Sequence, residues 1–277
     1  MFRRTLLLLA PARALLLSAA AAGVLAVAGC ASPVQQAVDP AVRHVLAPSG
    51  SLRVGVYTGS PSSLVTDPKT GEQAGVALEL GRALGQRLGV PVQVVKFDRV
   101  AQVVDAVKTG AVDFTFTNAS EARARDVDFT ATLLNVELGY LVPASSQITS
   151  LAGMDRDGRR LGVSLGSSSQ AALARLYKNK VTLVPADSLK QAQDMLRRGE
   201  IEAFATNKGI LFEMLDGLPG FKILPGGWGM EHMAVAIPKG REAGMPFMRV
   251  FAEDMKSGGQ LQSFIAKAGM RGTVKPE

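Results

Sequence analysis

The chain has only one cysteine, two histidines and one tryptophan among its 277 residues. A single cysteine excludes a disulfide framework and a thiolate metal site. The histidines, His44 and His232, are far apart in the sequence, so we expect no metal ion. Beyond residue 29 there is no apolar run of about 18 residues, the length that a membrane-spanning helix needs. These absences predict a soluble body without disulfide bonds.

Charge of one sign is not concentrated anywhere in the chain. Residues 1–29 contain three arginines and no acid, so their removal leaves 28 basic against 24 acidic residues, a net charge of +4 against +7 for the whole chain. Runs of five or more like charges are absent from the sequence. The balance indicates a solvated surface and predicts that nucleic acid is not a partner.

The N-terminal 29 residues have the composition of a secretory signal peptide. Two arginines near the start precede an apolar stretch that closes with small residues. The tetrapeptide Val27-Ala28-Gly29-Cys30 resembles a lipobox, at which export is coupled to attachment of acyl chains such as palmitate to the cysteine sulfur. We therefore expect a signal peptide over residues 1–29 and lipidation at Cys30. This places the protein in the periplasm or at the cell surface, anchored to a membrane.

Two alternatives to the lipid anchor remain for this segment. Cleavage after Ala26-Val27-Ala28 matches the A-x-A pattern and would release a free protein. A single transmembrane anchor is the other alternative, and Pro11, Arg13 and the small-residue end of the run argue against it.

The rest of the sequence consists of a tether and of a body in which short strands alternate with helices. Residues 30–50 are rich in serine, proline and glutamine and predict a flexible tether. From Leu52 onwards, short β-type runs alternate with segments whose apolar residues recur at helical spacing. Such alternation predicts a largely parallel sheet. The predicted strands are 52–57, 92–97, 112–117, 161–164, 181–184 and 201–205, and the predicted helices are 76–88, 100–107, 169–177 and 189–198.

One segment occurs in both halves of the body. Residues 107–118 contain a helix end, a glycine, a strand with an acid and then Thr-Asn, and residues 196–207 repeat that order. The repeat predicts two similar α/β lobes. Ligands bind beyond the carboxyl ends of the strands in open parallel sheets, so Asn118 and Asn207 are expected to face one cleft. The same pattern of a glycine followed by a strand with an acid is also common in βαβ units in general.

Seven short segments, in this order along the chain, carry a resemblance: Leu52–Val56, Gly75–Leu80, Thr109–Asp113, Arg123–Phe129, Leu161–Ser167, Gly199–Ala203 and Ala234–Gly240. Behind a lipobox, they resemble the polar amino-acid-binding family of type II periplasmic solute-binding proteins, the receptors of ABC importers. The resemblance implies an α/β fold of two lobes, each a mostly parallel sheet flanked by helices. Two crossover strands near Tyr140–Ala144 and Val235–Lys239 would form the hinge. Lobe I would comprise 51–142 and 238–277, and lobe II 143–237.

The resemblance also implies which residues bind the ligand. Arg123 would hold a carboxylate of the ligand, because a guanidinium donates two parallel hydrogen bonds to it. The alternative is a solvated helix arginine, which is how we interpret Arg125. Asn118 and Ser120 flank Arg123 and would add further hydrogen bonds.

On the opposite side, Gly166, Ser167 and Ser168 would bind the same carboxylate with backbone N–H groups at a helix start. A serine N-cap is the other interpretation of this segment, and the two are compatible.

Two positions depart from the family pattern. Asn207, followed by Lys208, stands where the family usually has an aspartate for the ligand's ammonium group, and Ser60–Leu64 replaces an aromatic segment. Tyr57 would either compensate for the missing aromatic segment or pack in the core. We therefore expect a ligand whose anionic group dominates, either an acidic or neutral amino acid or an organic acid without an ammonium group.

Three functions remain open at this point. The first is a binding module that captures an amino acid or related small carboxylate by lobe closure and presents it to an ABC transporter permease. This module needs no partner chain, so we expect a monomer. The second is a dehydratase-like enzyme on the same fold, in which a lysine and the carboxylate-binding arginine would serve the chemistry. The sequence shows no nucleophile–base–orienter set, no metal set and no cofactor motif for it. The third is a sensory or surface-interaction protein that has lost transport.

Overall fold

A computed structural model describes residues 38–178 and 180–275 of the chain. The helices are α1 Pro40–Leu46, α2 Val76–Leu88, α3 Val100–Lys108, α4 Glu121–Ala124, α5 Ser168–Tyr177, α6 Leu189–Arg197, α7 Lys208–Asp216, α8 Met245–Ser257 and α9 Gln260–Lys267. The strands are β1 Leu52–Tyr57, β2 Val65–Thr66, β3 Gln73–Ala74, β4 Val92–Phe97, β5 Thr115–Asn118, β6 Val127–Phe129, β7 Leu134–Pro143, β8 Arg160–Ser164, β9 Thr182–Ala186, β10 Ala203–Asn207, β11 Phe221–Ile223, β12 Gly229–Pro238 and β13 Thr273–Val274. Short 3-10 turns occur at Leu151–Met154 and Glu242–Gly244. The helices and strands predicted from periodicity are confirmed, with ends that differ by at most three residues.

The sheets are parallel where helices connect the strands. β1 pairs with β4, and β8 lies between β9 and β10, all in parallel. The prediction of a largely parallel sheet fails for β7 and β12, which pair antiparallel with each other and with β5, β6, β10 and β11. These two strands have ten residues each and are long enough to pair with several neighbours along their length. β7 overlaps the expected crossover strand near Tyr140–Ala144, and β12 overlaps the one near Val235–Lys239.

Apolar side chains form separate clusters on the two sides of the molecule. One cluster packs α2, α8 and α9 against β1, and its members come from residues 46–136 and 233–270. Another packs α5 against β8 and β10, with members from residues 140–224. A third cluster joins the two sides, since it contains Tyr57 and Val103 together with Leu189. This grouping is compatible with the lobe boundaries given above, which remain a prediction.

The flexible tether predicted for residues 30–50 is wrong for its second half. Residues 38–50 contain α1, whose start is capped by the Asp39 carboxylate, which accepts a hydrogen bond from the N–H of Ala41. Arg43 donates to the carbonyl of Leu88, and the side chain of Leu46 is only 1% exposed. A seven-residue helix is too short to show a clear helical periodicity. The proline-rich composition of residues 30–50 favoured the interpretation as a tether. Residues 30–37 lie outside the described residues.

Replacing Leu46 by alanine is expected to lower the free energy of unfolding by about 2–3 kcal/mol, because the change leaves a cavity against the packed α2–α8 core. Urea denaturation of the protein without residues 1–29 measures this loss. The matched control is Leu176→Ala, at a leucine that is 57% exposed, which should change the free energy by less than about 0.5 kcal/mol. Equal effects of the two variants would show that α1 is not part of the folded core.

The repeated acid in the two halves has the same structural role. Asp113 accepts a hydrogen bond from the backbone N–H of Arg53 and forms two more with its guanidinium. Glu202 accepts from the backbone N–H of Arg160 and pairs with Arg159 at 2.6 Å. Each acid therefore fixes the start of a neighbouring strand, which explains its repetition without a catalytic role.

The predicted signal peptide, residues 1–29, and Cys30 lie outside the described residues. Within residues 38–178 and 180–275, none of the helices combines the length and the apolar character required to cross a bilayer.

Candidate ligand-binding site

A small pocket lies at the carboxyl ends of three strands. Thr117 and Asn118 at the end of β5, Thr206 and Asn207 at the end of β10, and Ser164 at the end of β8 line it. The first turn of α5 and the central strand β12 complete the polar part of its wall. The two Thr-Asn pairs of the internal repeat are the last residues of β5 and β10, and both of these strands end at this one pocket.

The structure brings six of the eight predicted site residues to this pocket: Tyr57, Asn118, Arg123, Ser167, Ser168 and Asn207. Ser120 and Gly166 lie outside its lining. The Ser120 hydroxyl caps α4 by accepting from the backbone N–H of Arg123. The N–H of Gly166 donates to the side-chain oxygen of Gln170 at 2.7 Å, so this N–H group already has an acceptor.

The N-cap interpretation of the serines at the start of α5 is confirmed, and their binding of a carboxylate stays a prediction. The Ser167 hydroxyl accepts from the N–H of Gln170 and is the N-cap of the helix. The N–H groups of Ser168 and Ser169 follow in the first turn, and neither has an acceptor within the described residues. Two backbone donors thus remain for a bound group beside the pocket.

Arg123 is a buried cation in the wall of the pocket. Its side chain is 9% exposed, and one guanidinium nitrogen donates to the Thr117 hydroxyl at 2.9 Å and to the Asn118 carbonyl at 3.3 Å. Within the described residues, none of the carboxylates lies within 4.0 Å of this guanidinium. Burial lowers the pKa of Arg123 from its ordinary value, and the negative charge of Glu231 opposes that shift. The other guanidinium N–H groups are available to a ligand.

Glu231 on β12 is the acid of the pocket, and the sequence reasoning missed it. Its side chain is 7% exposed. One carboxylate oxygen accepts from the Ser168 hydroxyl at 3.1 Å, and the other accepts from the side-chain amide of Asn207 at 2.8 Å. The available signal was strand alternation, because Glu231 and Met233 lie on one face of β12 and both line the pocket.

The ammonium group of Lys208, the residue after Asn207, is paired outside the pocket. Lys208 pairs with Glu137 on β7 at 2.6 Å and is not part of the pocket lining. Among the described residues that line the pocket there is no lysine. The same part of the chain contains no group of three or more His, Cys, Asp or Glu residues placed to hold a metal ion.

Tyr57 packs in the core, in the cluster that joins the two sides of the molecule, and also lines the pocket. Burial raises the pKa of Tyr57, and the charge of Glu231 adds to this shift, so the phenol stays neutral. Together with Val100, Leu189 and Ile210 it forms the apolar part of the wall.

The pocket is closed, with a cavity volume of about 20 Å³. This is room for about one water molecule. Its polar walls contact each other directly, since the Asn118 amide donates to the Ser168 hydroxyl at 3.1 Å. Gly166 has a φ of +73°, and a Cβ at this position would lie 2.8 Å from that of Ala101, so only glycine permits this approach. At the rim, Arg99 pairs with Asp187 at 3.4 Å.

Comparison with known proteins gives one family match and many similar structures. Residues 52–269 match the bacterial extracellular solute-binding proteins, family 3. The ABC transporter glutamine-binding protein GlnH of Bacillus subtilis (strain 168) is 21% identical over 217 residues, which cover 77% of this chain and 79% of GlnH.

Two of the similar solved structures have identities of 25% and 26%. An ancestral arginine-binding protein bound to arginine is 25% identical with a TM-score of 0.70, and the match covers 79% of this chain and 97% of that one. A solute receptor for L-cysteine of Neisseria gonorrhoeae is 26% identical with a TM-score of 0.72, and the match covers 82% of this chain and 92% of that one. Both have the same overall fold as the chain.

Proposed function

Since the chain belongs to family 3 of the bacterial extracellular solute-binding proteins, we propose that it is the substrate-binding component of an ABC transporter for an amino acid or a related small carboxylate. The relatives support an amino acid, because the names of GlnH and of the two solved structures state that they bind glutamine, arginine and L-cysteine. The protein itself catalyses no reaction in this proposal. It captures the solute and delivers it to the permease.

The observation that carries the proposal is the buried guanidinium of Arg123. A buried cation without an ionic partner is costly, and a ligand carboxylate would remove much of that cost by accepting two parallel hydrogen bonds. The backbone N–H groups of Ser168 and Ser169 face the same pocket from α5 and add neutral donors for the same group. A carboxylate between these two sets of donors would be bound from both sides.

Binding is proposed to favour the closed form of the pocket. Arg123 and Asn118 belong to proposed lobe I, whereas Ser168 and Asn207 belong to proposed lobe II, so a ligand that contacts all four joins the lobes. The cavity of about 20 Å³ is too small for an amino acid, so the lobes must separate for entry. A ligand shifts the population towards closure by as much as it binds the closed form better.

A thermal-shift screen of the mature protein, beginning at residue 30, tests this function. The panel is the twenty common L-amino acids and a set of small carboxylates. A ligand at about 100 times its dissociation constant stabilises the native state by about 2.7 kcal/mol. For a body of this size we expect the melting temperature to rise by about 5–10 °C. If no member of the panel raises it, the proposed function is wrong.

We propose further that Cys30 carries a lipid anchor and that the protein acts as a monomer in the periplasm or at the cell surface. The support is the lipobox-like Val27–Cys30 and the absence of any other cysteine in the sequence. In cells fed labelled palmitate, the full chain should incorporate label and fractionate with membranes. The Cys30→Ala variant should take up no label, and equal labelling of both proteins would contradict the anchor.

A further inference from the structure

Two opposite charges are buried in the same pocket without being paired. The side chains of Arg123 and Glu231 are 9% and 7% exposed, and both line the cavity. In the part of the chain that the structure describes, neither has an oppositely charged group within 4.0 Å. The other charged residues of the lining, Asp98 and Arg99, lie at its more exposed rim. The interior of the pocket therefore carries one positive and one negative charge, separated from each other.

Burying two separated charges raises the free energy of the folded protein, unless a bound group supplies the opposite charges. Removing a charge from water costs several kcal/mol, which an isolated hydrogen bond does not offset. A buried pair within reach of each other would recover part of this cost, but these two groups do not form one. A ligand that carries both a carboxylate and an ammonium group would neutralise both charges at once.

The hydrogen bonds of Glu231 leave room for a further donor. Its two oxygens accept one bond each, from Ser168 and from Asn207, whereas a carboxylate has about four acceptor positions. The carboxylate also lies at the end of a chain of hydrogen bonds, because Asn118 donates to Ser168, which in turn donates to Glu231. This chain connects Glu231 to the segment that bears Arg123.

Asn207 holds the carboxylate in place and is not itself the anionic group. Its side-chain oxygen accepts from the N–H of Ile210 as the N-cap of α7, which fixes the amide orientation and directs the nitrogen to Glu231. The acid that the family pattern places at position 207 is thus replaced by an amide that positions an acid from β12.

We propose that Glu231 binds the ammonium group of the ligand, so that the protein selects α-amino acids over carboxylates that lack the amino group. The inference rests on the proposed function, namely that Arg123 holds the ligand's carboxylate. It replaces the expectation, drawn from Asn207-Lys208 alone, that the anionic group dominates recognition.

The test compares ligands that differ only in the amino group. Isothermal titration calorimetry is done with L-glutamine, L-cysteine and L-arginine, and with their counterparts 4-carbamoylbutanoate, 3-mercaptopropanoate and 5-guanidinopentanoate. For each amino acid that binds, the wild-type protein should bind the counterpart at least about 30-fold more weakly, because Glu231 is then left buried and unpaired. Equal affinity for both members of a pair overturns the inference and leaves a carboxylate-binding function intact.

The Glu231→Gln variant removes the charge and keeps the shape of the side chain. We expect it to weaken amino-acid binding about 10- to 30-fold and to change the affinity for the deaminated counterpart by less than about threefold. The matched control is Glu121→Gln, which removes an exposed carboxylate from α4, the helix that contains Arg123, and should leave both affinities within about twofold. Unchanged amino-acid affinity in Glu231→Gln overturns the inference.

The outcomes separate the two proposals. If none of the twenty L-amino acids binds the wild-type protein but a carboxylate does, the inference is wrong and the proposed function holds in its carboxylate form. If no compound of either kind binds, the proposed function is wrong and the inference fails with it. Should Glu231→Gln not fold, the comparison of ligand pairs on the wild-type protein still decides the question.

Discussion

Replacing Arg123 by alanine is expected to weaken ligand binding about 1,000-fold. Truncating one partner of a buried, hydrogen-bonded charge pair costs about 2–5 kcal/mol. Every 1.4 kcal/mol corresponds to a factor of ten in affinity, so this range is about 30- to 4,000-fold. We expect the upper part of the range, because Arg123 is the only buried cation among the described residues that line the pocket, and a ligand carboxylate would lose both guanidinium bonds.

Calorimetric titration of the best ligand from the screen measures this loss, and Arg125→Ala is the matched control. Arg125 follows α4 directly, and its side chain is exposed and does not line the pocket. The control removes the same charge two residues away and should change the affinity by less than about twofold. A similar loss in both variants would mean that general electrostatic attraction, and not a guanidinium contact, holds the ligand.

The Asp113→Asn variant is expected to lose about 3–5 kcal/mol of unfolding free energy. Asp113 is fully buried and pairs with Arg53 at 2.6 Å and with Arg241 at 2.7 Å. These arginines come from β1 and from the turn after β12, so one carboxylate ties together two distant parts of the chain. Its neutralisation leaves two partly buried cations without their counter-charge, which is strongly destabilising.

The internal repeat supplies the control for this variant. Glu202→Gln changes the corresponding acid of the second half, whose side chain is 33% exposed and pairs with one arginine side chain. Water solvates the groups that are left, so we expect a loss of about 1 kcal/mol or less. Urea denaturation curves of both variants and the wild type give the two values. Equal losses would show that the charge cluster around Asp113 does not stabilise the fold beyond an ordinary ion pair.

The local elements of the body could be predicted from the sequence because their signals are local. The apolar residues of α2 recur at helical spacing, and Gly89 ends the helix in the left-handed conformation that glycine favours. The helix α1 was missed because seven residues carry too little periodicity. The antiparallel pairing of β7 and β12 was also missed, because it joins segments about ninety residues apart and leaves no trace in either segment alone.

The residues of the candidate site could be predicted in part, whereas the directions of their side chains could not. Asn118 and Asn207 were found because each ends a strand, where ligand-binding groups are expected. Arg123, Ser167 and Ser168 were found through the resemblance to the family. The direction of each side chain at the pocket was not predictable, because it depends on contacts with distant residues.

The amino-acid sequence by itself determined the order of the predicted helices and strands and the internal repeat, since these follow from the spacing of neighbouring residues. The resemblance to the family singled out Arg123, which lies in α4. The fold determined the charge balance of the pocket. Glu231 faces the cavity because β12 pairs with β7 in one register, and Lys208 turns away because Glu137, 71 residues earlier, neutralises it. Strand register and long-range ion pairs arise only when the chain is packed, and they decide which charges a ligand meets.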